Sequence, residues 1–230
     1  MKKQLFIYGS GRHTLPFLNY MAEATGKNKP NICFIPTASG DDEGYIGRFH
    51  EVCNQLNVNP YVLKVWVNSY DDKETFDAKI GKMDAIVVGG GNTLNMLAIW
   101  KAQGIDTALK IAYENGVVMG GGSAGSLCWF NGGTTDSRPA ELSIVEGMRF
   151  INKSHCPHYN SEKSRRPLYH SNILKGDLTD GYACDDRSAI HFINEKVFKS
   201  VSLDANNNSY YVHKKNGQIM ENLIRGEIIS

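Results

Sequence analysis

Five short apolar runs dominate the first half of the chain: QLFIYG (4–9), NICFIP (31–36), PYVLKVWV (60–67), DAIVVGG (84–90) and GVVMG (116–120). Amphipathic stretches of helical length separate them, near Leu15–Thr25, Tyr45–Leu56, Lys73–Ile80, Asn92–Lys101 and Asp106–Asn115. Strands that alternate with helices over short loops build β-α-β units, with right-handed crossovers and a parallel sheet covered on both faces. The pattern predicts an α/β chain, a flavodoxin-like three-layer sandwich with a mainly parallel sheet and helices on both faces. The 230 residues suit one domain spanning 1–230, and no linker, repeat or low-complexity tract divides them. After Ser123 the pattern loosens, and 134–178 is rich in Ser, Asn, Arg, Pro and His. GYACDD (181–186) and SAIHFI (188–193) then alternate like strands, and Asn216-Gly217 reads as a hairpin turn between closing strands.

Composition removes several classes of function. Lys+Arg 25 against Asp+Glu 24 leaves a formal charge of +1, so no electrostatic footprint favours nucleic acid or an anionic membrane. A hydrophobic content of 41% supports a real core rather than disorder. Five widely spaced cysteines without a C-x-x-C pair read as reduced thiols in a cytoplasmic protein, not a disulfide frame or zinc site. Leu5–Tyr8 is too short for a signal sequence, and no run approaches membrane-spanning length.

Chemistry concentrates at Gly120-Gly121-Gly122-Ser123-Ala124-Gly125-Ser126, between the fifth strand and the helical stretch SAGSLCWF. Gly121-x-Ser123-x-Gly125 matches a nucleophile elbow in its strand–turn–helix setting. The sharp turn tolerates only small neighbours and projects the hydroxyl beyond the strand end. The competing reading is a plain glycine turn or a phosphate cradle, but no P-loop lysine or spaced G-x-G-x-x-G accompanies it. Ser126, one helical step on, reads as a packing or supporting residue. A second turn, Gly89-Gly90-Gly91-Asn92-Thr93, could face the Ala124 N–H and complete an oxyanion hole; equally, it is a tight turn with a helix cap at Asn92 or Thr93.

A serine nucleophile needs a base and the base an orienting acid. Of seven histidines (His13, His50, His155, His158, His170, His191 and His213), His50 lies on a helix, and His191 and His213 sit in strand patterns. His155 and His158 share the loop SHCPHYN, where Pro157 stiffens the backbone before His158. His158 is the candidate base. An H-x-x-H metal pair is the rival, without a nearby acidic third ligand. Asp186, at the end of GYACDD, is the candidate acid and Asp136 the alternative; either could instead be a turn residue.

FIPTAS (34–39), VGGGNT (88–93), GGSAG (121–125), CPHY (156–159) and CDDRSA (184–189) occur in that order over most of the chain. In these motifs the chain resembles the peptidase E (dipeptidase E) family of serine peptidases, which shares the class I glutamine amidotransferase-like fold and has cyanophycinase as a relative. The resemblance puts the nucleophile on Ser123, the base on His158 and the oxyanion donors on Gly90, Gly91 and the Ala124 N–H. A glutamate commonly stands where this chain has Asp186. An earlier aspartate also implicated in the family falls near Ser137, beside Asp136. The family releases N-terminal aspartate from short peptides, which calls for an arginine at the substrate carboxylate; Arg165 and Arg166 follow the His158 loop and are the candidates, against a solvated charged loop. The expectation is a cofactor-free and metal-free serine peptidase acting on short peptides as a monomer or homodimer. The alternatives are a cyanophycinase-like hydrolase of β-aspartyl linkages and an inert small-ligand-binding module. Serine rather than cysteine at the elbow argues against an amidotransferase.

Overall fold

The computed structural model describes residues 1–10, 15–66 and 73–230. Its parallel strands are β1 (Gln4–Tyr8), β2 (Asn31–Ile35), β3 (Asn59–Val62), β4 (Ala85–Val88) and β5 (Val118–Gly122). The helices between them are α1 (Leu15–Ala24), α2 (Glu43–Cys53), α3 (Phe76–Ile80), α4 (Thr93–Gln103) and α5 (Ile105–Glu114). The strands lie side by side as β1-β5-β4-β2-β3, all parallel. Flavodoxin-like sheets run 2-1-3-4-5. Here β3-β2-β4-β5 supply the first four places and the N-terminal strand fills the fifth.

Strands buried on both faces read as unbroken apolar runs, because successive side chains enter opposite layers. In β1, Phe6 and Tyr8 pack with Phe17, Leu18 and Met21 of α1 and Phe49 of α2. Leu5 and Ile7 enter the opposite layer, with Trp100 of α4 and Leu109 and Tyr113 of α5. Helices therefore cover both faces, as the alternation implied.

The third strand is shorter than its apolar run. Pairing stops at Val62, and the carboxylate of Asp41 accepts the N–H groups of Val65 (2.6 Å) and Trp66 (2.8 Å) in place of a neighbouring strand. Val67, the last residue of that run, lies outside the described residues. The helix after the elbow is shorter still: α6 covers only Ala124–Leu127. The Trp129 indole N–H donates to the Gly125 carbonyl (2.6 Å), and both Trp129 and Phe130 are swallowed by the core.

The segment that looked irregular holds β6 (Phe130–Thr135), β7 (Ser143–Glu146), β8 (Ile151–Cys156) and α7 (Arg165–Lys175). With β9 (Gly181–Cys184), β12 (Ser209–Lys215) and β13 (Gln218–Ile224) the strands form a second sheet, ordered β13-β12-β9-β8-β6-β7. Asn216-Gly217 joins β12 to β13 in antiparallel register, the expected hairpin. Phe130 and Ile151 bring one face of this sheet into the core beneath α4 and α5. Cys156, Ala183 and Val212 turn the other face to Tyr169 and Ile173 of α7. The first sheet is extended beyond β1 by β10 (Ser188–Ile193), antiparallel to β1, then by β11 (Lys196–Ser202), antiparallel to β10, and by β14 (Gly226–Ile228), parallel to β11. This places the β5 elbow, the end of β8 and the β9–β10 turn together at one rim.

Candidate active site

Ser123 links β5 to α6 with φ 56° and ψ −118°, a conformation that any Cβ makes costly. The turn is held by its carbonyl, which accepts the N–H groups of Ser126 and Leu127 at 3.0 Å each. It also depends on close backbone approach, since a Cβ on Gly125 would stand 2.0 Å from the Val88 carbonyl oxygen. Any larger residue there would push α6 off β4.

His158 leaves β8 after Pro157 with φ 55°, and the Tyr159 N–H ties the loop to the Cys184 carbonyl of β9 (3.1 Å). The imidazole Nε2 is 2.8 Å from Ser123 Oγ, and Nδ1 is 2.7 Å from Asp186 Oδ1. An ionised carboxylate only accepts, so Nδ1 carries the proton and Nε2 is open to the serine hydroxyl. Asp185 and Asp186 point to different tasks. Asp185 is buried and accepts the Asn208 N–H (2.8 Å), joining β9 to β12, and burial raises its carboxyl above the usual carboxylate range. Asp186 faces the imidazole.

Asp136 is elsewhere. It is 69% exposed and lies 3.5 Å from the Arg165 guanidinium, so the structure brings Asp186, not Asp136, to His158.

The arginines expected at a substrate carboxylate are committed to the protein itself. Arg165 is 3% exposed, donates to the Thr134 carbonyl (2.7 Å) and pairs with Glu162 and Asp136. Arg166 forms a fork with Glu221 and lies over the Tyr159 ring, 4.9 Å from its centroid. The sequence missed this because the partners, Thr134 and Glu221, lie far along the chain. A cavity of about 990 Å³ beside the imidazole is lined instead by Arg187, with His158, Asn160, Asp186, Asn207 and Phe17. Arg187 stood within the CDDRSA motif but gave no signal of its own.

The second glycine turn is the tight turn with a helix cap, one of its two readings. Asn92 caps α4, its side chain accepting the Asn95 N–H (2.9 Å), and its amide donates to the Ser137 carbonyl (3.0 Å). Gly91 holds φ 138°, and a Cβ there would stand 2.2 Å from the Ala38 carbonyl oxygen. The Gly90 N–H donates to the Tyr45 hydroxyl (3.3 Å), so that donor is already engaged.

The remaining histidines are apart from Ser123. His170 meets Tyr159 and Glu221, His191 meets the Tyr20 hydroxyl (2.9 Å), and His213 stacks on Tyr211. His13 lies outside the described residues. His155 and His158 do not converge as a metal pair, since each directs its Nε2 to a separate serine. Among the described residues no cluster of His, Cys, Asp or Glu could hold a metal ion, and no helix is long and apolar enough to cross a membrane.

Burial holds His155 far below its ordinary range, at about 3, and His191 at about 4. A folded-state pKa below the unfolded value of 6.5 means that the unfolded chain binds the extra proton. Stability is then fully present above pH 6.5 and is lost as the pH falls towards these values. His155 alone is expected to withdraw on the order of 2–3 kcal/mol by pH 4.5. Thermal melts between pH 7.5 and 4.5 should show a steeper loss in the wild type than in His155→Gln; equal slopes would contradict this.

Comparison with known proteins agrees with the fold. The sequence profile of peptidase family S51 matches residues 5–200. The uncharacterized peptidase YgaJ of Bacillus subtilis is 40% identical over 224 residues, covering 95% of this chain and 96% of that protein. The uncharacterized peptidase Lmo0363 of Listeria monocytogenes is 26% identical over 168 residues, covering 69% and 79%. Among solved structures, a peptidase from an acI-B1 Actinobacterium superposes with a TM-score of 0.75 at 17% identity, covering 100% of this chain and 97% of that one.

Proposed function

The chain belongs to peptidase family S51, the peptidase E family that its motifs resemble, and from that premise we propose that it is a serine peptidase of short peptides in which Ser123, His158 and Asp186 form the catalytic triad. The observation that carries this reading is the unbroken hydrogen-bond chain from Ser123 Oγ to His158 Nε2 (2.8 Å) and from His158 Nδ1 to Asp186 (2.7 Å). His158 takes the hydroxyl proton as Ser123 Oγ attacks the scissile carbonyl. Asp186 keeps the proton on Nδ1 and steadies the imidazolium that forms. Ala124 opens a helix, so its N–H has no partner within that helix and can meet the developing oxyanion. In this reading the second donor is the Gly91 N–H, since that of Gly90 is taken up by Tyr45. His158 then passes the proton to the leaving amine, and water releases the acyl group by the same route in reverse.

An N-terminal aspartyl side chain would be met by Arg187. Its guanidinium lines the cavity beside the imidazole, anchored through Nε by Asp204 at 2.8 Å. The test is a dipeptide panel varied at the first residue and including β-linked aspartyl peptides. The expected result is cleavage of α-linked dipeptides with aspartate favoured, and loss of that preference by about tenfold or more in Arg187→Leu, the value of one charge-assisted hydrogen-bonded pair. Preference for β-linked substrates would make the enzyme cyanophycinase-like, and no cleavage of any member would overturn the peptidase reading.

A further inference from the structure

A second serine–histidine contact runs beside the first. Ser126 stands three residues after Ser123, and His155 three residues before His158. Ser126 Oγ is 2.9 Å from His155 Nε2, and neither side chain has measurable exposure. We propose that Ser126 and His155 form a buried brace that sets the spacing between Ser123 and His158, a positioning role that rests on the triad reading above.

The proton inventory of the pair is fixed by its surroundings. His155 Nδ1 lies 3.0 Å from the Tyr182 carbonyl, which can only accept, so Nδ1 carries a proton. A neutral ring then offers Nε2 as an acceptor, and the Ser126 hydroxyl must donate to it. That hydroxyl has a single proton, so the Ser123 carbonyl, 2.8 Å from Ser126 Oγ, is left to the two backbone N–H groups that already hold it. The ring stacks on Phe130 with centroids 4.7 Å apart and planes 19° from parallel, which blocks its rotation.

The two pairs differ in what faces Nδ1. His158 faces a carboxylate and can become an imidazolium. His155 faces a carbonyl, and its charged neighbours are cationic groups, Arg165 and His158 when protonated. Burial and those neighbours both favour the neutral ring, so His155 does not oppose the charge that His158 gains during turnover. The brace joins α6, which follows the nucleophile, to β8, which leads to the base. β5 and β8 lie in different sheets, and the backbone beyond α6 reaches β8 through the β6–β8 pairing, where Gly133 stands opposite His155, so the brace adds a side-chain tie next to that pairing.

Ser126→Ala, His155→Leu and His155→Gln test the brace, with rates expressed per site titrated by a fluorophosphonate. A displacement of the base costs rate rather than binding. Ser126→Ala and His155→Leu are expected to lower kcat about 10- to 100-fold with KM within about twofold, and His155→Gln, which can still donate to Tyr182 and accept from Ser126, to recover most of it. Imidazole ¹⁵N spectra should show His155 as the neutral Nδ1–H tautomer from pH 5 to 9. A lower melting temperature with unchanged kcat in Ser126→Ala would overturn the brace and leave the triad standing; this variant decides the matter if His155→Leu does not fold. A charged or Nε2–H His155 would also overturn it, independently of activity. An active-site titration and turnover both absent in the wild type would instead overturn the triad reading beneath it.

Discussion

Ser123→Ala is expected to lower peptide turnover on the order of 10⁶-fold while the protein stays folded. The loss is large because the triad acts as a unit: without Oγ, the His158 base and the Asp186 acid have nothing to activate. The fold should survive because the turn is set by the backbone. The Ser123 carbonyl keeps its two helical N–H donors, and Gly125 keeps its contact with Val88, whatever stands on the Ser123 Cβ. Melting temperature and kcat measured on the same preparation separate the two effects. Turnover retained in clean Ser123→Ala protein would remove the serine from the mechanism.

Asp186→Asn is expected to cost about 10⁴-fold in kcat with little change in KM. The asparagine side chain is nearly isosteric, so its effect is on protons rather than shape. An amide N–H turned towards Nδ1 selects the other tautomer, in which Nε2 carries the proton and cannot receive one from Ser123. Asp136→Asn is the matched control. Asp136 is exposed and paired with Arg165, so its replacement should leave kcat within about twofold, the ordinary behaviour of a surface ion pair. A larger loss from Asp136→Asn than from Asp186→Asn would transfer the acid's role. The side chain is long enough for the role, since Asp186 reaches the ring at 2.7 Å.

The parallel half of the fold was legible because its strands are buried on both faces. Ile86, Val87 and Val88 announce β4 by composition alone, since every position enters a core. The elbow was legible for a related reason: close contacts such as Gly125 against Val88 leave only glycine and alanine as neighbours of Ser123. Strands β6 to β8 of the second sheet were hidden because many of their buried positions are polar or glycine. In β8 the core-facing residues include Ser154 and His155, and in α7 the buried face includes Arg165 and Asn172 beside Tyr169 and Ile173. The helical spacing is present in α7, but an apolar pattern cannot reveal it when long-range partners such as Thr134 satisfy the polar groups. The same limit explains the site. Ser123, His158 and Asp186 each stand in a recognisable local motif. The engagement of Arg165 and Arg166, the Tyr45 contact with Gly90 and the Ser126–His155 contact all depend on pairings between distant segments.

The central claim is that the Ser123 hydroxyl is activated by His158. Reaction with a fluorophosphonate, read by peptide mass spectrometry in the wild type and in His158→Ala, tests it most directly, because the adduct forms only on an activated hydroxyl. The account predicts a single adduct on the peptide bearing Ser123, formed rapidly in the wild type and almost lost in His158→Ala. An adduct on another residue, none at all, or equal labelling with and without the imidazole would contradict it.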